Sequence, residues 1–154
     1  MDKTQIAQNL ASKMFEFMGA EAKITSEIKD GCLQVNALTA EAGFLIGRDG
    51  ENLKAFQHIL ALMVSKKINE LLTPASFVFD INNYQKERED YLTALAKNAA
   101  YQVLENKKPA ELEPMSAADR RLVHLAVEKI AGVKSESVGQ GEARRVVITP
   151  VVDL

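Results

Sequence analysis

Tryptophan is absent from the 154 residues, cysteine occurs once, at Cys32, and there are only four prolines. A lone cysteine cannot close a disulfide within the chain, and no Cys/His cluster has the spacing of a zinc site. The expectation is therefore a fold without metal or cofactor, suited to a reducing compartment. Long apolar runs are missing too, since the longest in the middle of the chain, Ile59 to Val64, falls far short of the roughly 20 residues that span a bilayer. Met1-Asp2-Lys3-Thr4-Gln5 shows neither the basic start nor the apolar segment of a secretion signal. Together these absences predict a soluble, cytoplasmic protein with no integral membrane segment.

There is no excess of charge of one sign either. Nineteen Lys and Arg against 21 Asp and Glu leave a net charge of −2, without the overall basicity of strong duplex binders. Any contact with nucleic acid must come from local clusters. The arginines are unevenly placed for this, Arg48 being the only one before residue 82. No spacing proposes a carboxylate pair or a nucleophile with its base beyond Ser137 or Cys32 with His124, so no catalysis is expected.

The residues that are present, 47% hydrophobic and 26% charged, describe an ordinary globular chain long enough for one domain or two small ones. Ile6, Leu10, Met14 and Met18, with Ala7, Phe15 and Phe17 beside them, predict an amphipathic helix over 4–18. Two alternating stretches, Ala22 to Ile28 and Cys32 to Leu38, flank the turn pair Asp30-Gly31 and predict a hairpin. A short helix runs from Thr39 to Ile46. Gly47-Arg48-Asp49-Gly50 interrupts it, and a longer helix carries Leu53, Phe56, Leu60, Val64 and Leu71 on one face until Pro74. A buried strand over 76–81 follows, turning at Asn82-Asn83. The second half predicts a helix from Tyr84 to about Glu105 and another from the N-cap Ser116 to Gly132. A hairpin then pairs Val133 to Val138 with Arg144 to Val151. The fold class is α+β.

Gly47-Arg48-Asp49-Gly50 is the most informative element. Paired glycines let the backbone approach a ligand, the next helix presents free N–H groups and a positive dipole, and Arg48 adds a cation. That geometry suits a phosphate, although Asp49 places an anion beside it. The segment Ile46-Gly47-Arg48-Asp49-Gly50-Glu51-Asn52-Leu53, in the order helix-strand-strand-helix-helix-strand, resembles a type II KH domain covering residues 1–82. The resemblance implies that the loop clamps the backbone of about four nucleotides while an apolar groove takes the bases. Gly47, Arg48, Asp49 and Gly50 would touch phosphates, with Ile46, Leu53 and Val35 near the groove.

Arg120-Arg121-Leu122-Val123-His124 places Arg120 and His124 on one helix face, where they could hold a phosphate together. With Pro114-Met115 before it and Ser135-Glu136-Ser137-Val138-Gly139 and Arg144-Arg145-Val146-Val147-Ile148 after it, this stretch resembles the Arg-x-x-x-His single-stranded nucleic-acid-binding domain, here residues 83–154. In that family neighbouring basic side chains extend the surface. Arg121 and either Arg144 or Arg145 would do so, only one of the latter two because adjacent strand residues point oppositely.

A KH domain followed directly by this second domain is similar to the bacterial Jag family, the SpoIIIJ-associated proteins. The resemblance implies a cytoplasmic protein that binds single-stranded RNA, with single-stranded DNA the second candidate, and that controls cell elongation and envelope growth. It implies in addition a KH-domain partner or a homodimer. Many members carry a further N-terminal domain and linker, whereas these residues begin at the KH pattern. The competing reading is a protein-interaction module pairing through its KH half, with RNA contact incidental. His58 reads as a capping or core-edge histidine, Lys66-Lys67 and Lys107-Lys108 as solvated helix ends, and Tyr84, Tyr91 and Tyr101 as packing between the halves.

Overall fold

The computed structural model describes residues 2–152 and divides them into two compact units, one ending at Gln85 and the other beginning at Lys86. Both are α+β.

In the first unit, Asp2 caps α1 (Lys3–Phe17), its carboxylate accepting the Thr4 hydroxyl and, at 2.9 Å, the Gln5 N–H. These bonds, the Thr4 hydroxyl foremost, hold that carboxyl below its usual range. The helix turns Ala7, Ala11 and Phe15 into the core. Phe17 and Met18, expected on the apolar face, are exposed instead, Phe17 because it lies on the side of the helix away from Phe15 and Met18 because it is the C-cap, where the helix stops.

The strands β1 (Lys23–Lys29) and β2 (Cys32–Leu38) pair antiparallel, with Lys29 opposite Cys32 across the turn. Asp30 and Gly31 both take positive φ, 51° and 76°, as a two-residue turn matched to strand twist requires. β3 (Phe77–Ile81) lies parallel to β2, Leu33 opposite Phe77. A parallel pair needs a long crossover, supplied by α2 (Ala42–Ile46) and α3 (Glu51–Ile68). One face of the β1-β2-β3 sheet, with Leu33, Val35, Ala37, Phe77, Phe79 and Ile81, is sealed against the helices. The Phe56 ring stacks on Phe79 at 4.9 Å between centroids and tilts against Phe15 at 5.2 Å.

The end of α3 falls short of Pro74. Asn69 takes a left-handed conformation (φ 55°, ψ 41°) directly after Ile68, and Leu71, expected on the apolar face, is exposed. Within the apolar run, Leu60 and Val64 are buried whereas Ile59 and Leu62 are half exposed. Among the described residues no helix is long and apolar enough to cross a membrane.

The boundary between the units falls in the first turn of α4 (Tyr84–Asn106). After it come β4 (Ala110–Glu111), α5 (Ala117–Glu128), β5 (Val133–Val138) and β6 (Arg145–Pro150). The second sheet has the order β4-β6-β5 and is antiparallel throughout. Leu92, Ala96, Ala100 and Val103 of α4 and Val123 and Val127 of α5 share a core with Val133, Val146 and Ile148. Ser135 and Ser137 lie opposite Ile148 and Val146, so their side chains leave the sheet on this helix-covered face.

Candidate nucleic-acid interface

The loop between α2 and α3 is held from beneath by side chains. Gly47 has φ +73° and ψ −179°, a region essentially confined to glycine. Space excludes a side chain there as well, since a Cβ would lie 2.7 Å from the Asn52 amide. Asn52 reaches back from the first turn of α3 and donates to the Phe44 carbonyl at 2.9 Å, closing the loop on its own helix. At the other end, a Cβ on Gly50 would come within 3.1 Å of the Tyr84 ring. Tyr84 thus packs into the core of the first unit.

Arg48 and Asp49 remain on the exposed side. Asp49 sits at φ 53°, ψ 25°, a left-handed conformation that aspartate tolerates better than most residues, which accounts for a carboxylate at this position. Gly50, the N-cap of α3, offers no side chain to the first N–H groups of that helix, so they keep their capacity for an anion. The flanking charges balance, Arg48 and Lys54 against Asp49 and Glu51, all four exposed.

The residues expected beside this loop are less accessible. Leu53 and Val35 are each 1% exposed and Ile46 is 9% exposed, so all three are core residues rather than the lining of an open groove. An open recess of about 370 Å³, of mixed polar and apolar lining, is formed by Met18, Ala20, Ala40, Glu41, Gly43 and Phe44. Phe44 is 78% exposed.

In the second unit, Ser116 caps α5, its hydroxyl accepting the Asp119 N–H at 3.3 Å. Asp119 is buried and pairs with Arg88 at 3.0 Å, and the Arg88 guanidinium lies 5.6 Å from the centre of the Tyr91 ring. One residue on, Arg120 donates Nε to the Met115 carbonyl at 3.2 Å, and the Met115 N–H in turn bonds the Arg144 carbonyl. Arg144 extends Nη1 to the Gly139 carbonyl at 2.8 Å. Met115 therefore links the backbone of Arg144 to the side chain of Arg120.

His124, one turn beyond Arg120, is engaged at both ring nitrogens, Nδ1 with the Ser135 hydroxyl at 2.6 Å and Nε2 with the Ser137 hydroxyl at 2.9 Å. Arg121 is exposed. Arg145 is ion-paired with Glu111, whose partner across the sheet is Val147. That pair occupies the face opposite Ser135 and Ser137, so of the two arginines Arg144, whose carbonyl bonds Met115, is the one linked to Arg120. Tyr91 and Tyr101, expected to pack, are 58% and 59% exposed.

Residues 90–150 match the R-three-H domain family, named for its Arg-x-x-x-His pair. The chain is 33% identical over 117 residues to the RNA-binding protein KhpB of Clostridium symbiosum, covering 76% of this chain and 51% of that one. It is 27% identical over 151 residues to the protein of the same name from Bacillus subtilis, covering 97% and 71%. The chain belongs to the Jag family. It spans about half the length of the Clostridium symbiosum relative.

In this Jag-type chain, Arg120 and His124 stand where an Arg-x-x-x-His pair is expected. What the sequence concealed is that His124 is already occupied. The signal was present in Ser135 and Ser137, two polar residues at the spacing that shares a strand face, but only the tertiary fold brings that face to α5. Asn52 was likewise overlooked. Its replacement by alanine is expected to cost the first unit about 1 kcal/mol of stability, the worth of one hydrogen bond. Urea unfolding tests this, and an unchanged midpoint would remove Asn52 from the support of the loop.

Proposed function

We propose that the chain binds single-stranded RNA through two places, the loop over residues 47–50 and the surface formed by Arg120, Arg144 and the His124 cluster. The supporting observation is that Arg120 and His124 lie one turn apart on α5 and that Met115 ties the Arg120 side chain to the backbone of Arg144, within the stretch that matches the Arg-x-x-x-His family. The name of the relatives, RNA-binding protein, agrees with it. The element order and loop of the first unit support a KH assignment for it. Linking two weak sites raises overall affinity through effective concentration, which suits a chain without net positive charge. By family resemblance, such binding serves control of cell elongation and envelope growth from the cytoplasm.

The test is fluorescence anisotropy with a labelled 20-nucleotide oligouridylate. Arg48→Asp and the double variant Arg120→Ala/His124→Ala are each expected to weaken binding by about tenfold while circular dichroism stays unchanged. With about three to five phosphate contacts, the log–log salt slope should lie near −2 to −3.5. A slope near zero contradicts a phosphate-held complex.

Exposed Phe44 and Phe17 favour a second reading, in which the first unit pairs with another KH protein or a second copy. Light scattering that detects a dimer lost on Phe44→Ser, in a chain indifferent to oligouridylate, would support it.

A further inference from the structure

A phosphate oxygen accepts hydrogen bonds and donates none, so a protein surface that holds it must offer protons. His124 has none to offer. A neutral imidazole carries one N–H and one bare nitrogen, and both positions are taken by the hydroxyls of Ser135 and Ser137. Protonation adds a second N–H, which points at the same hydroxyls. In neither state does a ring N–H reach a ligand while the two serines stay in place.

The serines are different. Each hydroxyl has one proton and two lone pairs. With a neutral ring, one serine gives its proton to the bare nitrogen and the other accepts the ring N–H, keeping its own proton for another acceptor. With a protonated ring both serines accept, and both protons are released outward. Ser135 and Ser137 are half-buried rather than sealed. Arg120 stands one turn before His124 on the same helix, and its Nε is already committed to Met115, which leaves its two terminal nitrogens for the same anion.

We propose that the hydroxyls of Ser135 and Ser137 are the donors this surface presents to an RNA phosphate, and that His124 is a positioning residue which orients them. The proposal rests on the RNA-binding reading given above. It moves the contact from the histidine of the Arg-x-x-x-His pair to two strand residues that the pair itself does not include.

The test uses the 154-residue chain and the labelled oligouridylate. Ser135→Ala/Ser137→Ala is expected to bind about tenfold more weakly than the parent, with the salt slope unchanged, because no cation is lost. Arg120→Ala should flatten the slope by about 0.7 for each phosphate contact removed. Ser135→Thr/Ser137→Thr keeps both hydroxyls and should stay within about twofold of the parent, which assigns the loss in the alanine variant to the hydroxyls, and an alanine variant with the parent's unfolding midpoint separates that loss from a structural role. A double alanine variant that binds like the parent overturns the proposal, and so does a threonine variant as weak as the alanine one.

The underlying RNA reading fails separately, if the parent does not bind oligouridylate at low salt. Should the alanine variant not fold, the parent alone decides. His124 and His58 are its two histidines, and the ring ¹⁵N signals of His124, but not those of His58, should shift on saturation with oligouridylate. Unmoved His124 signals at saturation overturn the proposal.

Discussion

Gly47→Ala is expected to destabilise the first unit by about 3 kcal/mol, from backbone strain together with a steric clash. The φ of +73° with ψ near 180° is a conformation that a side chain makes costly whatever the surroundings. Here the surroundings also forbid it, because the new Cβ would lie 2.7 Å from Asn52 Cγ and 3.0 Å from Asn52 Cβ. The amide could retreat only by giving up its bond to the Phe44 carbonyl. Gly31 provides the comparison, with a similar φ of +76° and open space around its Cβ position. Gly31→Ala should therefore cost only the left-handed term, about 1–2 kcal/mol. Urea unfolding of the two variants reads the excess cost at Gly47, made up of its glycine-only backbone region and the Asn52 contact together, and equal losses at the two sites would refute both. Adding Asn52→Ala to Gly47→Ala should recover the contact term and leave the strain.

The loop illustrates how far the sequence could be read. Its glycines, the hairpin at Asp30-Gly31 and the cap at Ser116 are local features, each set by the preferences of a few adjacent residues, and all three are visible without tertiary information. The end of α3 was not, because Asn69 and Pro74 are both plausible stops and the earlier one acts. β4 is two residues long and exists only by pairing with β6, so it has no periodicity to detect. The accessibility of Ile46, Leu53 and Val35 depended on how the helices close over the sheet, and the closure leaves them inside. Arg145 shows the same limit. Strand alternation predicts that it and Arg144 diverge, but only the pairing with Glu111 decides which of them is engaged elsewhere.

The second large effect is expected from Arg88→Met, at about 2 kcal/mol in the second unit. Asp119 is the one buried charged residue among those described, and its side chain is 12% exposed against 30% for Arg88. Removing one member of a fully buried pair costs about 3–5 kcal/mol because the other is left without compensation. The partial exposure of Arg88 lowers that figure. Asp119 also sits in the first turn of α5, where the helix dipole favours an anion, which lowers it further. Asp119→Asn should cost less than Arg88→Met, since it removes the buried charge while keeping a polar group of the same size. If the two variants are equally destabilising, the cost lies in lost packing, including the contact of Arg88 with Tyr91, rather than in an unpaired carboxylate. The pair has a further consequence for the neighbouring surface. Arg120 follows Asp119 directly and His124 lies one turn beyond, so loosening the start of α5 disturbs both the Met115 bond and the serine contacts. Arg88→Met should therefore weaken oligouridylate binding although Arg88 itself is no part of the proposed contact, and unchanged affinity in the destabilised variant would show that the surface holds without this anchor.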